Sequence, residues 1–433
     1  MRKRMFISLF IAAAALLLGS GVTARTTSHE KLIGSYEGPK TCAQCHAGVA
    51  EDVVHSVHYK LKGPVSTVQG LTGEWGESNR ECGLPGSIYA LNSSCKQCHI
   101  GNGTAVTDKP TEREREGIDC LICHAAKYDY SKRAVVPTTD TPEGYRVTQD
   151  RSVEAARTVG AKPSSEACLR CHYMPAGGPW WKRGINFSPE RDVHVAKGMI
   201  CVDCHKAEKH KFANGNDPGG WAKEATDRTL NCESCHAGVK HKNPAVSSHL
   251  TRISCTVCHI PTIGGVVTRD YVNLVTNPKT GMYMPKADPF DSTYSTKPTY
   301  RFFNGTANQE IEPIGSVNDP KSKITAFKPL TTIAPRDAKT KKLLFQNLAV
   351  LFKTGSVDQA LAQGFKQRPQ EYSGTWEPVS ITGYFILSHD IAKTKALNCA
   401  ECHSDKNYIG FDKLGYSPDR VKQLTNQSYP RYR

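Results

Sequence analysis

The chain has 433 residues, of which only 38% are hydrophobic, with a formal net charge of +15 and 17 cysteines. That length allows two or three ordinary domains, but the apolar fraction is thin for cores of that size. A basic chain of this kind can bind polyanions, yet no RNA- or DNA-binding motif is visible, so no nucleic-acid partner is expected and the cysteines must be explained first.

In chain order, the first element is a secretory signal over 1–24. Arg2, Lys3 and Arg4 form its charged start, "MFISLFIAAAALLLG" its apolar stretch, and Val22 to Ala24 its small-residue cut. The apolar run falls short of the roughly 20 residues a spanning helix needs. The mature protein is therefore expected from Arg25, exported and periplasmic or associated with the outer surface. It would meet a membrane only indirectly.

Sixteen of the cysteines then fall into eight copies of CxxCH. They are CAQCH (Cys42, Cys45, His46), CKQCH (Cys95, Cys98, His99), CLICH (Cys120, Cys123, His124) and CLRCH (Cys168, Cys171, His172). They continue with CVDCH (Cys201, Cys204, His205), CESCH (Cys232, Cys235, His236), CTVCH (Cys255, Cys258, His259) and CAECH (Cys399, Cys402, His403). Two cysteines three apart can form thioethers to the two vinyl groups of one haem, and the adjacent histidine then reaches the iron. Zinc ribbons and disulfide scaffolds need no histidine after every pair. Eight covalently bound haem c groups are expected. Each macrocycle supplies an apolar body to pack around, which suits the low hydrophobic content, and each brings two propionates, which suits the basic charge.

The spacings outline the architecture: a seven-haem array over 25–260, a haem-free cover of helix and coil over 261–398, and the eighth haem with a tail over 399–433. The predicted fold class is mainly α with extensive coil, packed around a chain of haems. Within the cover, "DAKTKKLLFQNLAVLFKTG" has helical spacing and Gly355 suits its stop. Ser356 and Gln359 are placed as a capping box for the next helix.

A low-spin haem needs a second axial ligand, and histidine keeps its potential low. The histidines outside the motifs number eight: His29, His55, His58, His194, His210, His241, His249 and His389. If all eight ligate, every iron is saturated and the protein is a pure conductor. If one haem is open or takes another ligand, His55 or His58 is spare and can serve as an acid–base group.

The stretches "SHEKL", "HSVHYK", "CGLPGSIYALNSSCKQCH", "VGAKPSSEACLRCH", "DVHVAKGMICVDCH", "SCTVCHIP" and "HDIAKTKALNCAECH" together resemble the octahaem cytochromes typified by octahaem tetrathionate reductase. The resemblance implies that the second haem is catalytic and takes a lysine ligand, which here matches Lys162. It also implies that Cys82 lies near that haem and that His58 is a ligand, leaving His55 as the pocket residue. The sequence departs from the pattern in two ways: His55 is an addition beside the expected His58, and the segment "YMPAGGPWWKRGINF" after the fourth motif differs. The function expected is electron transfer with reduction of a small sulfur or nitrogen oxyanion, such as tetrathionate, nitrite or hydroxylamine. The alternative is a non-catalytic conduit with eight bis-histidine haems. The expected partner is a quinol-oxidising membrane cytochrome or a small periplasmic cytochrome.

Overall fold

The computed structural model describes residues 28–426 apart from 77–98, 103–105, 141–144, 174–187, 216, 218–223, 225–229, 266–267, 279–280, 289–292, 294, 368 and 393–395. The signal segment, Cys82, Cys95 and Cys98 therefore lie outside the described residues. No described helix is long and apolar enough to cross a membrane.

Through the array, the helices are short and built around the motifs. Ser165–His172 carries the whole fourth motif, started by the Ser164 hydroxyl accepting from the Ala167 N–H. Cys255–His259 carries the seventh. Short helices suffice because their job is to set the CxxCH spacing, and two-stranded ribbons and coil fill the intervals.

Residues 261–398 correct the expectation of helix and coil, for they hold a five-stranded sheet. Its strands are β1 (Thr268–Thr276), β2 (Tyr283–Ala287), β3 (Thr299–Phe303), β4 (Lys323–Asp337) and β5 (Trp376–Ile386). β4 is central. It pairs antiparallel with β5 from Phe327↔Ile386 to Asp337↔Trp376, antiparallel with β3, and parallel with β1, which in turn pairs with β2. Most of β4 is buried, as a strand covered on both faces must be. The fold is thus a multihaem array with a sheet inserted before the last motif, and the label "mainly α" holds only for the array.

The helix foreseen over 337–355 begins later. Asp337 ends β4, and Leu343 bridges back to Arg336. The helix itself is Leu348–Thr354, capped by Asn347 and closed by Gly355 in the left-handed region. The next helix, Val357–Gln367, starts with the Ser356 hydroxyl accepting from the Gln359 N–H.

The sheet is joined to the haem motifs by one apolar cluster. Val257 and Ile260 of the seventh-motif region pack with Tyr300, Phe302 and Ile324 of β3 and β4, and with Ile409, Phe411 and Leu414 beyond the eighth motif. A second cluster, with Val53, Val54, Tyr59, Leu121 and Ile122, lies under the first and third motifs.

Candidate haem sites

Seven of the eight motif histidines face a second histidine. The pairs are His46 with His29 (6.1 Å between ring centroids), His124 with His210 (6.2 Å), His172 with His58 (6.0 Å), His205 with His389 (6.2 Å), His236 with His194 (6.2 Å), His259 with His241 (6.4 Å) and His403 with His249 (5.9 Å). Two imidazoles on opposite sides of one metal ion have a predictable separation. A metal–nitrogen bond of about 2.0–2.1 Å plus about 1.1 Å from nitrogen to ring centre, taken twice, gives roughly 6.2–6.4 Å. The seven spacings cluster around that value. Each pair leaves room for one iron, and the residues fit haem c.

Local structure orients these rings. The Nδ1–H groups of His124, His205 and His403 donate to the carbonyls of Gly160, Ala213 and Leu424, each at 2.9 Å. That fixes the tautomer and leaves the Nε2 lone pair for a metal. Asp192 serves two sites at once. Its Oδ1 accepts from the His194 backbone N–H, and its Oδ2 accepts from the Ile391 N–H at 3.0 Å, two residues past His389. The buried Glu224 carboxylate accepts from the Val57 N–H at 2.8 Å and so caps the turn that carries His58. Burial pushes that carboxyl up to about 7 and pulls His58 down to about 4, so the His58 ring is neutral, as a ligand must be.

The cysteines set an order in space. Cys42 lies against Cys120, Cys168 against Cys201, and Cys232 against Cys255. Cys123 lies within electrostatic reach of Cys168, Cys204 of Cys235, and Cys258 of Cys402. Motifs one, three, four, five, six, seven and eight therefore form a continuous row.

The second motif differs. His99 is fully buried, and its Nε2 donates to the Tyr59 carbonyl at 2.7 Å. No second histidine stacks across from it among the described residues. The ring fits closely: a Cβ on Gly101 would come within 2.6 Å of His99 and 2.7 Å of Tyr59. Behind it, the buried Arg133 donates to the His99 carbonyl and pairs with Asp119, the residue before Cys120. Arg133 and Asp119 were not singled out in the sequence. Their only signal there is an acid abutting a motif.

Two expected site residues are placed elsewhere. Lys162 is 73% exposed, and its ammonium donates to Asp203 of the fifth motif at 3.2 Å. A solvated, ion-paired ammonium has no lone pair for iron, so the structure does not bring Lys162 to a ligand position. His55 is 48% exposed at the end of the Val49–Val54 helix, 2.8 Å from Glu51, which also accepts from Arg115. Among the described residues it forms no histidine pair with a motif.

The comparisons agree with this geometry. A family model described as cytochrome c bacterial matches residues 269–406, and one described as cytochrome c7 and related cytochrome c matches 187–260. The fold is similar to the crystal structure of octaheme cytochrome c from Shewanella oneidensis, with a TM-score of 0.69, 21% identity, and coverage of 93% of this chain and 99% of that one. The chain is a multihaem c-type cytochrome. An uncharacterized protein of Archaeoglobus fulgidus is 28% identical to this cytochrome over 274 residues, which is 49% of this chain and 91% of that protein. This cytochrome binds haem c covalently and has an electron-transfer role.

Proposed function

We propose that this cytochrome is an exported octahaem protein that conducts electrons along the row of histidine pairs and delivers them at the second motif, where a small sulfur or nitrogen oxyanion is reduced. The observation that carries the reading is the exception at His99. Among the described residues, seven motif histidines have a histidine opposite them and this one does not. Iron held by two imidazoles is saturated and passes electrons only. Iron held by one has a position for an oxyanion or an exchangeable ligand. The eighth free histidine, His55, stands at the surface against Glu51, which weighs against eight bis-histidine haems.

Lys60 and Lys62 follow Tyr59 in the chain and are ion-paired with Glu74 and Asp108, which an incoming anion would have to displace. The His99 Nε2 is hydrogen-bonded to the Tyr59 carbonyl, so to hold iron through that nitrogen the ring would have to leave Tyr59; Arg133 holds its backbone from behind. For Lys162 to ligate, it would have to leave Asp203 and lose its proton. Donors would be a quinol-oxidising membrane cytochrome or a small periplasmic cytochrome.

The test is the spin state of the oxidised protein. One haem of the set should be high-spin or should bind added nitrite, hydroxylamine or cyanide, while the rest stay low-spin. Lys162→Ala and His55→Ala should leave the seven bis-histidine signals intact. Uniformly low-spin protein that ignores every added ligand, with a new high-spin haem appearing in His55→Ala, would establish a pure conductor.

A further inference from the structure

The buried Glu224 joins two segments that carry haem ligands. Its Oε1 accepts from the Val57 N–H at 2.8 Å, and its carboxylate also accepts from the Phe212 N–H. Val57 opens the short helix Val57–Lys60, which holds His58. Ser56 in front of it provides no side-chain cap, because its hydroxyl donates to the Val53 carbonyl. An amide in the first turn of that helix therefore depends on an acceptor 167 residues away.

Phe212 closes a ribbon in which Ala207 pairs with Phe212 and Glu208 with Lys211. His210 stands in its two-residue tip. Lys209 and His210 both have left-handed backbone, at φ 48° and 61°, a conformation that favours glycine, so the tip is strained. The Phe212 ring also lies against that of His58, with centroids 4.9 Å apart. One carboxylate thus ties the His58 segment, which serves the fourth motif, to the His210 ribbon, which serves the third.

Neither ring has a hydrogen bond of its own to orient it. The Nδ1 atoms of His58 and His210 are buried and have no partner among the described residues. Those of His99 and His241 are alike in this, so a bare Nδ1 is not what sets the two apart. The shared carboxylate is. The pairs they complete are the most steeply crossed of the seven, at 64° for His58 with His172 and 73° for His210 with His124. The third crossed pair, at 58°, also has a carboxylate behind it, for Asp192 is bonded to His194. A ring without a bond at Nδ1 takes its plane from the backbone that carries it and from its packing.

We propose that Glu224 is a positioning residue for two irons at once, holding His58 and His210 crossed against His172 and His124. The role belongs to the conducting row and goes beyond the function proposed above, since it holds whether or not the second motif is catalytic.

The test uses the full holoprotein with Glu224→Ala, Glu224→Gln and Val57→Pro, followed by EPR of the oxidised state and by haem content. Glu224→Ala should change two of the three crossed-plane signals and leave the near-parallel ones alone. His205, close by, keeps its own bond to the Ala213 carbonyl, so its signal should stay. Glu224→Gln retains one acceptor oxygen and should restore at least one of the two signals. Proline suits the first position of a helix, and Ser56 is already extended, so Val57→Pro removes little besides the donor. It should change the His58 signal and spare that of His210. The proposal is overturned if Glu224→Ala changes neither signal, only one, or all seven alike, or if Glu224→Gln restores none. If Glu224→Ala fails to load haem, Val57→Pro decides, and either no changed signal or a change in every signal overturns the role.

Discussion

Replacing Arg133 by methionine should destabilise the array more than any surface change. The Arg133 Nη1 donates to Asp119 Oδ2 at 2.8 Å, and the two side chains are 0% and 1% exposed. Removing the cation leaves a buried carboxylate with two donors, the Tyr128 hydroxyl at 2.6 Å and the Ile122 N–H at 3.2 Å. Breaking such a pair from one side costs about 3–5 kcal/mol. Part of that is escaped if Asp119 takes up a proton, and burial already pushes its carboxyl upward. A folded-state pKa raised further in the variant means stability is lost as pH rises through it, so the deficit should be larger at pH 7 than at pH 5. Guanidinium titrations followed through the haem absorption at the two pH values measure this. Arg133→Met with Asp119→Leu should recover most of the loss, because no charge is then stranded. A single variant within about 1 kcal/mol of the wild type at pH 7 would refute the argument, since that is the range of an exposed pair. The same variant frees the His99 carbonyl, so any altered spectrum should be confined to the second haem.

The histidine planes divide the pairs into two classes. Four are near parallel, at 22–26°, and three are steeply crossed, at 58–73°. Axial-plane angle governs the anisotropy of ferric low-spin haem, so oxidised protein should give two low-spin EPR populations in a four-to-three ratio, and a single population would contradict the geometry. Burial, with Arg269 nearby, pulls the fully buried Lys328 down to about 7. A lysine depressed in the folded state makes stability rise with pH from about 7 towards the unfolded value near 10.4. Lys328→Met should flatten that rise in pH-dependent denaturation. Mass spectrometry of the mature holoprotein should show eight haems and no residues 1–24, and a lower haem count in fully matured material would remove one motif from the set.

How much was legible depended on how local the chemistry is. The attachment motifs were readable because both cysteines and the histidine lie within five residues. The remaining histidines could be listed but not assigned, because their partners are set by long-range packing. His58 reaches His172 and His389 reaches His205, and nothing in the local pattern marks either. The sheet was hidden by proline. Pro329 and Pro335 in β4 and Pro378 in β5 cannot donate to a ladder and argue against a strand when met in sequence. The apolar run from Leu343 read as the start of a helix because spacing alone does not show that Leu343 belongs to a bridge with Arg336. Lys162 is assigned by resemblance and His55 by counting histidines, and the ion pairs that hold them at the surface involve Asp203 and Glu51, choices that only a folded chain reveals.

The placement of His389 has a consequence for assembly. β5 ends at Ile386, and three residues later the chain supplies the ring opposite His205; beyond it, His403 closes on His249. Both partners belong to segments that are made much earlier during synthesis. The haem at Cys201 and Cys204 therefore lacks its second histidine until β5 has been made and docked, whereas the eighth haem, attached at Cys399 and Cys402, finds His249 already in place. Completion of the sheet and full ligation at His205 are thereby linked. A chain that fails to complete its sheet would still carry its attached haems yet hold a break in the row at His205, isolating the first motifs from the last.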